Sequence, residues 1–426
     1  MATATDAPSA AARFLAHPKR MLIDGEWAQA RHARTLEVYD PVTGEVIDHV
    51  PAGDAEDVEL AVLAARPALE DSDWSRMTAS ERGRVIRRIG ELILEHPDEP
   101  AAIESLDNGK RMGVARAADV RLAADVFPIP WNFPLLTAAR KLAPALATGC
   151  TVVLKHAEQT PLSALRLVEL MQEAGLPDGV INVITGFDET AGVATAAHRG
   201  IDKVAFTGST EVGKPIVKAA ADDHKRVTLE LGGQSPYIVF ADADLDTAAP
   251  GAARAIFVNH GQCFCAWSRL HIESEAYDDV LAGVADRAEH IKVGRGSDDD
   301  TEMGPLVSAE QLERVTGYLE SARRHDPAPR SLTREIFGAG IPSRRPCSMV
   351  PDEGTPSDPA AEGRNGVGHH RGDPRVHRDQ VCAHRTVIPL RRPKDANGWF
   401  RTHPAASDRR PCSTIDKDSH KRESDR

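Results

Sequence analysis

Residues 152–184 read VVLKHAEQTPLSALRLVELMQEAGLPDGVINVI, and this stretch decides the fold. Runs rich in β-branched residues stand at its two ends, at 152–154 and 180–184, and an apolar pattern with helical spacing joins them. A strand, a helix and a second strand in this order predict a parallel βαβ unit with a right-handed crossover. The sequence therefore indicates an α/β protein.

Two amphipathic helices are predicted upstream of this unit, over residues 55–68 and 79–96, because apolar residues recur there at helical spacing. Thr78 stands just before the second helix and Glu81 follows three residues later. This is the pattern of a capping box, in which each side chain bonds to the backbone N–H of the other residue. The N-terminal part of the chain thus carries clear helix signals as well as strands.

Length and composition exclude several classes of protein. The 426 residues exceed one ordinary domain, and the net charge of −12 argues against nucleic acid or a membrane as the partner. No apolar run is long enough to span a bilayer, and the N-terminus does not resemble a secretory signal. Six cysteines do not make a disulfide scaffold, so a cytoplasmic location is expected. Cys150 lies in an apolar stretch and is expected to be buried.

The character of the sequence changes near residue 325. Residues 341–373 are crowded with Pro, Gly, Ser and Arg and hold no sustained period of 2 or 3.6, and residues 409–426 are almost wholly polar. Such a composition cannot build a packed core. The tail is interpreted either as a flexible extension or as the out-of-frame translation of a gene that once encoded a folded half.

Residues 204–214, VAFTGSTEVGK, predict a strand, a glycine-containing turn and the start of a helix. Free N–H groups at such a helix terminus suit a pyrophosphate. The segment is close to a P-loop, but Pro215 stands where a Ser or Thr must coordinate Mg²⁺. Nucleotide hydrolysis is therefore rejected.

Three further segments carry chemically useful side chains. Residues 130–134, PWNFP, predict a stiff loop from which Asn132 could donate to an oxyanion, unless the loop is only a structural turn. Lys155 and Glu158 follow a strand at the edge where α/β sheets bind ligands, although they also fit a solvated strand end. Glu230 lies among apolar residues, so we expect it to be buried with a pKa raised toward that of a general base rather than exposed.

Residues 261–269, GQCFCAWSR, together with residues 229–233, LELGG, resemble the active-site pair of the NAD(P)-dependent aldehyde dehydrogenases. The family pattern Gly-Gln-x-Cys-x-Ala-Gly-Ser-Arg aligns Phe264 with the cysteine nucleophile. The resemblance runs from about residue 22, where LIDGEW is similar to the family's opening strand, to about residue 319. The chain is identified as a degenerate or truncated member of this family.

The resemblance implies a Rossmann-like, parallel-sheet NAD-binding domain over residues 20–231 and an incomplete α/β catalytic domain over residues 232–324. Residues 325–426 are then an irregular tail, and the abrupt end of the resemblance favours an out-of-frame origin for it. Near 127–128 the family has several dozen further residues, including part of its subunit-contact strands. An internal deletion is therefore expected there, and the family's homo-oligomer is expected to be impaired.

The activity implied by the resemblance is NAD-dependent oxidation of an aldehyde, a small-molecule substrate, to the carboxylic acid through a cysteine thiohemiacetal and thioester. Glu230 would activate the nucleophile or the deacylating water, and Asn132 would stabilise the oxyanion. Because Phe264 cannot act as a nucleophile, Cys265 is the candidate to replace it, ahead of Cys263. No metal is expected, since Cys-x-Cys lacks a second ligand pair at suitable spacing.

The resemblance also assigns residues to the cofactor. Lys155 and Glu158 would hold the adenosine ribose, and the carboxylate favours NAD over NADP because it would repel a 2′-phosphate. Asp188 replaces a glycine of the same site and is expected to repel the pyrophosphate. The other residues assigned to the cofactor are Trp131, Gly186, Gly208, Ser209 and Leu231.

Two alternatives to an active enzyme are left open by the sequence. One is a catalytically inactive NAD-binding pseudoenzyme, because Phe264 carries no thiol. The other is a product of a decayed gene that does not fold stably, because missing strands and an unpacked tail remove core contacts. Within the tail, Glu335 in residues 334–338 (REIFG) resembles a ribose-binding residue of the family but comes too early in the chain.

Overall fold

The structure, a computed structural model, describes residues 7–125, 132–233 and 235–325, and ten short strands lie within these ranges. They are β1 (Met21–Ile23), β2 (Glu26–Ala28), β3 (Thr35–Tyr39), β4 (Val46–Pro51), β5 (Val152–Lys155), β6 (Ile181–Ile184), β7 (Lys203–Gly208), β8 (Arg226–Leu231), β9 (Pro236–Val239) and β10 (Arg269–Ile272).

Helices cover more of the described residues than strands do. They are α1 (Ala7–Leu15), α2 (Ala55–Glu70), α3 (Asp73–Arg76), α4 (Ala79–Glu95), α5 (Asp98–Asp107), α6 (Met112–Val114), α7 (Val120–Asp125), α8 (Pro134–Ala147), α9 (Leu162–Glu173), α10 (Val193–Ala197), α11 (Thr210–Ala221), α12 (Leu245–Phe257), α13 (Tyr277–Glu289) and α14 (Ala309–His325).

The βαβ unit predicted from residues 152–184 is confirmed. β5 and β6 are parallel neighbours with Val152 opposite Ile181, and α9 connects them. β1 pairs antiparallel with β6, and β2 extends the sheet, which has the order β2-β1-β6-β5. β7 and β8 form a second parallel pair, β9 and β10 a third, and β3 and β4 an antiparallel pair. The mixed α/β class is therefore confirmed.

The two predicted amphipathic helices are present as α2 and α4. At the start of α4, the Glu81 N–H donates to Thr78 Oγ1 at 3.3 Å and the Thr78 N–H donates to the Glu81 carboxylate at 2.7 Å. The capping box is thus formed as predicted, and it satisfies N–H groups that the first helical turn leaves without partners.

Residues 22–27 do not form the single strand that was expected. The chain turns back at Asp24 and Gly25, whose φ angles are 52° and 79°, and β1 pairs antiparallel with β2. Positive φ at both central residues is the geometry of tight hairpins, and Asp followed by Gly adopts it readily. The prediction, which rested on resemblance to the family's opening strand, missed this turn.

The largest apolar core lies between helices α4, α5, α8 and α9 and the sheet that contains β5 and β6; Trp74 is wholly buried in it. The Trp74 indole N–H donates to the Cys150 carbonyl at 3.3 Å, but the Cys150 side chain is exposed. The predicted burial of Cys150 is therefore wrong, because only its backbone is turned toward the core. A separate apolar cluster, formed around β9, β10, α12 and α13, lies wholly after residue 232.

Several predictions lie outside the described residues. These include the junction near 127–128, the side chain of Trp131, the tail from residue 326 onward and Glu335 within it. None of the helices in the described part of the chain is both long and apolar enough to cross a membrane.

Candidate active site

The loop that precedes the cysteines has an unusual backbone. Asn259, His260 and Gly261 follow α12 with φ angles of 54°, 61° and 71°, a left-handed region that non-glycine residues seldom adopt. The Asn259 amide holds this loop, donating to the Asn132 carbonyl at 2.8 Å and to the Gln262 carbonyl at 2.9 Å. Surrounding contacts therefore fix a strained loop immediately before the cysteines.

A four-residue turn carries the two cysteines. The Ala266 N–H donates to the Cys263 carbonyl at 3.1 Å, which leaves Phe264 and Cys265 at the centre of the turn. This brings the Sγ atoms of Cys263 and Cys265 to 3.4 Å from each other. The Phe264 ring is half-buried and the Cys265 side chain is exposed. The turn thus holds close together the two thiols that flank the position that the family pattern gives to the nucleophile.

The structure brings together the two segments that the sequence paired. The Gly233 N–H donates to the Phe264 carbonyl and the Ser235 N–H to the Ala266 carbonyl, each at 3.3 Å. Glu230, just before this contact, is exposed, so its predicted burial is wrong. β8 belongs to a two-stranded sheet, and its alternate residues, Glu230 among them, point to solvent.

Asn132 lies at the start of α8 and is almost fully buried, with 6% of its surface exposed. Its side-chain amide donates to the Gln262 carbonyl at 2.7 Å, so the residue reaches the backbone next to Cys263. A side-chain amide has two N–H donors, and only one is needed for that bond. The role of Asn132 as an oxyanion donor stays a prediction, and its place beside the cysteine turn is compatible with it.

The two thiols differ in their readiness to ionise. The Cys263 thiol donates a hydrogen bond to Cys265 and lowers the pKa of Cys265 to about 6, and the positive charge of Arg140 acts in the same direction. Partial burial of Cys265 opposes this change. Sharing its proton with Cys265, together with burial, raises the pKa of Cys263 well above its usual value. Cys265, the more exposed of the two, is therefore the thiol that ionises more readily.

Alkylation by iodoacetamide is expected to show this ionisation. Because only the thiolate reacts, the rate constant at Cys265 should rise with pH and level off, with a midpoint near 6. Cys263→Ala removes the hydrogen-bond donor and should move the midpoint toward the ordinary value of 9. Mass spectrometry of the tryptic peptide 255–269 reports the rate. An unchanged midpoint in Cys263→Ala would mean that the neighbouring thiol is not the cause.

A buried charge cluster, formed by Glu104, Lys110 and Asp119, supports the start of α8. Lys110 Nζ lies 2.9 Å from Asp119 and 3.7 Å from Glu104, and 4.4 Å from the centre of the Phe133 ring. The other oxygen of Glu104 accepts from the Leu135 N–H at 2.6 Å. Burial raises the pKa of Glu104 to about 7 although Lys110 opposes this. Sequence reasoning missed the cluster, whose local signal was the pair Glu104 and Lys110, six residues apart, with Asp119 nine residues further on.

Lys141 on α8 is a second residue that sequence reasoning missed. Burial lowers its pKa to about 8, while the charge of Glu230 acts against this change. A lysine with such a pKa can exchange a proton near neutral pH. The sequence signal for this residue was a lysine within a mostly apolar helix that directly follows the predicted Asn132 loop.

Lys155 and Glu158 lie side by side at the end of β5, with 3.1 Å between Lys155 Nζ and the Glu158 carboxylate. Lys155 also contacts the Asp188 carboxylate directly. Asp188 was expected to act only by repelling the pyrophosphate, and the structure adds a competing ion pair to that effect. Next to Lys155, His156 is buried, and burial lowers the pKa of its ring to about 4, so the ring is neutral.

The remaining predicted cofactor residues in the described part of the chain lie near the ends of three other strands. Gly208 and Leu231 are opposite each other at the ends of β7 and β8, and Ser209 caps α11 by accepting from the Val212 N–H at 3.2 Å. Gly186 has φ 151° and follows β6. These residues and Lys155 therefore stand at the carboxyl ends of strands in two different sheets of the described structure.

Comparison with known proteins gives consistent matches. The model of the aldehyde dehydrogenase family matches residues 27–129 and 127–328. A putative aldehyde dehydrogenase of Bacillus subtilis is 43% identical over 345 residues, which covers 73% of this chain and 70% of that protein. The phenylacetaldehyde dehydrogenase of Pseudomonas fluorescens is 45% identical over 345 residues, with coverage of 71% and 69%.

The similarity extends to solved structures. An aldehyde dehydrogenase from Bacillus cereus, solved as a complex with NAD⁺, superposes with a TM-score of 0.72 at 42% sequence identity. The superposition covers 74% of this chain and 71% of that one. A betaine aldehyde dehydrogenase from Staphylococcus aureus, also in complex with NAD⁺, gives the same TM-score at 37% identity and covers 75% and 71%.

Proposed function

Because the chain belongs to the aldehyde dehydrogenase family, we propose that it oxidises an aldehyde to the carboxylic acid with NAD and that Cys265 supplies the thiolate. The observation that carries this proposal is the turn at residues 263–266. It holds an exposed thiol with a lowered pKa beside the Asn132 loop and the segment after Glu230. The substrate class is an aromatic or aliphatic aldehyde, supported by similarity to a phenylacetaldehyde dehydrogenase.

The residues divide the proposed chemistry between them. The Cys265 thiolate adds to the carbonyl carbon of the aldehyde, and the second N–H of the Asn132 amide donates to the oxyanion that forms. When bound, NAD would supply the acceptor for the hydride that leaves this carbon, and a thioester would then remain on Cys265. Glu230 then takes a proton from the water that hydrolyses the thioester and releases it to solvent, to which its side chain is exposed.

The residues present fit NAD, with one obstacle. Lys155 and Glu158 can bind the hydroxyls of the adenosine ribose, and the start of α11 at Ser209 suits the pyrophosphate. The Thr207 hydroxyl, beside it, is buried with no hydrogen-bond partner in the described part of the chain, so it can donate to a pyrophosphate oxygen. The obstacle is Asp188, because its carboxylate forms an ion pair with Lys155, one of the residues proposed to bind the ribose.

Asp188→Gly is expected to tighten NAD binding by about tenfold, because it frees Lys155 and removes a negative charge from the pyrophosphate site. Isothermal titration with NAD measures the effect. Glu189→Gly, which removes a carboxylate from the neighbouring position, serves as the matched control and should leave the affinity nearly unchanged. If both variants bind NAD as the parent does, Asp188 does not compete for the site.

The Glu158 and Asp188 carboxylates both favour NAD over NADP in this proposal, because each would repel a 2′-phosphate near Lys155.

We also propose the division into an NAD-binding domain at 20–231 and a partial catalytic domain at 232–324. The apolar cluster after residue 232 supports it. The break in the family match near 127–129 supports an internal deletion there. We also propose that the protein is cytoplasmic and that it forms the family's homo-oligomer only weakly.

The proposal is tested with purified protein, NAD and phenylacetaldehyde, by following NADH absorbance. Cys263→Ser keeps a hydrogen-bond donor next to Cys265 and should retain turnover, whereas Cys265→Ser should lose it. NAD binding without turnover in the parent protein would identify a cofactor-binding protein instead of an enzyme. A chain that neither binds NAD nor unfolds cooperatively would point to a failure of the fold.

A further inference from the structure

The Cys263–Cys265 pair has properties that the proposed oxidation of aldehydes does not need. Its two Sγ atoms are 3.4 Å apart, and the turn that positions them is closed by the Ala266 N–H. The Gly233 and Ser235 N–H groups also donate hydrogen bonds to backbone carbonyls of this turn and hold it in place. The thiols are therefore held close by the fold, which lowers the entropy lost when they are joined.

We propose that Cys263 and Cys265 are a dithiol–disulfide pair that reacts reversibly with low-molecular-weight disulfides such as glutathione disulfide. The two thiols have unequal access: Cys265 is exposed, so a small disulfide can reach it, whereas Cys263 is half-buried behind it. This is the arrangement of an attacking thiol and a resolving thiol. The lowered pKa of Cys265 supports the same assignment, with Cys265 as the attacking thiol.

The reaction proceeds in two exchanges. The Cys265 thiolate attacks one sulfur of the small disulfide, forming a mixed disulfide and releasing one thiolate. Cys263 then loses its proton to solvent and attacks the Cys265 sulfur, forming the Cys263–Cys265 bond and releasing the second thiolate. Two electrons pass from the protein dithiol to the small disulfide, which is reduced to two thiols. Formation of the mixed disulfide removes the Cys265 charge, and this makes deprotonation of Cys263 easier.

The ring closed by such a bond contains only three residues, so the disulfide is strained and easily reduced. It therefore belongs with labile disulfides and not with structural ones. If the proposed function holds, the bond also consumes the Cys265 thiolate and stops aldehyde oxidation until a thiol reduces it. This consequence rests on the proposed function, whereas formation of the bond does not.

Trypsin provides a direct test, because no Lys or Arg lies between Arg254 and Arg269 and the peptide 255–269 holds both cysteines and no other. The native protein is equilibrated in a glutathione buffer, quenched with acid and digested. Peptide 255–269 is expected to be lighter by two hydrogen atoms and to carry no glutathione. Peptide 142–155, which contains only Cys150, is the internal control and can gain at most one glutathione. The readout requires neither NAD nor aldehyde.

Variants and denaturant separate the steps. Cys263→Ser should trap glutathione on Cys265, and Cys265→Ser should slow modification of the peptide by at least about tenfold. In denaturant the equilibrium constant for the internal disulfide should fall by at least about tenfold, because the turn no longer holds the thiols together. Any one of three results would overturn the proposal. Peptide 255–269 could carry two glutathiones, or it could remain a free dithiol while Cys150 is modified. The third result is an equilibrium constant for the internal disulfide that is the same in denaturant as in the native protein.

Discussion

Phe264→Cys is expected to raise the rate of aldehyde oxidation by at least about 10²-fold, because a misplacement of about 1 Å at a reacting atom costs on that order. Phe264 stands where the family pattern places the nucleophile, whereas Cys265, the proposed nucleophile, stands at the next position in the turn. The Phe264 ring is half-buried, so its removal also opens space at the turn. Initial rates of NADH formation measure the gain.

The matched control is Phe264→Ala, which opens the same space without supplying a thiol. It should leave the rate within a few-fold of the parent, so that the gain in Phe264→Cys can be attributed to sulfur. The double variant Phe264→Cys, Cys265→Ser should keep most of the gain, since the nucleophile is then at position 264. No increase in Phe264→Cys, in a protein that binds NAD normally, would show that the turn does not present this position to substrate.

Lys110→Met is expected to lower the free energy of unfolding by about 3–5 kcal/mol, because breaking a buried ion pair leaves uncompensated charge in the interior. Lys110 is 1% exposed, and the Glu104 and Asp119 carboxylates that it neutralises are almost fully buried. Urea denaturation followed by far-UV circular dichroism measures the loss. Arg87→Met, which breaks an exposed pair with Glu91, is the control and should change nothing measurable.

The pH dependence of this loss follows from Glu104. Its pKa in the folded chain is raised to about 7 from 4.5, so the folded state keeps a proton that the unfolded state releases. The stability linked to that proton is fully present below 4.5 and disappears as the pH rises through 7. Lys110→Met should therefore be least harmful near pH 5 and most harmful above pH 7. A loss that is equal at both values would contradict the raised pKa.

The parts of the fold that sequence predicted depend on local patterns. The strand–helix–strand unit at 152–184 and the Thr78–Glu81 capping box each lie within one short stretch, so periodicity and capping rules were sufficient. The Asp24–Gly25 turn was also local, but it was missed because residues 22–27 were interpreted as one strand from their resemblance to the family's opening strand.

The parts that sequence missed depend on contacts between distant residues. Asp188 reaches Lys155 from 33 residues away, and only folding reveals that the two are paired. Glu230 was expected to be buried because its neighbours are apolar, yet among the described residues its strand pairs only with β7, and Glu230 is exposed. The resemblance to a family supplied the identities of the site residues, but it could not supply these contacts.

Rapid acid quenching of the reacting Glu230→Gln variant tests the central claim, that Cys265 is the nucleophile, most directly. Loss of the carboxylate should slow hydrolysis, so that the acyl group remains on the protein. After mixing with phenylacetaldehyde and NAD, peptide 255–269 should gain a phenylacetyl group, and fragmentation should place it on Cys265, with one NADH formed per chain. An acyl group on Cys263, or NADH formed without any acylated peptide, would contradict the account.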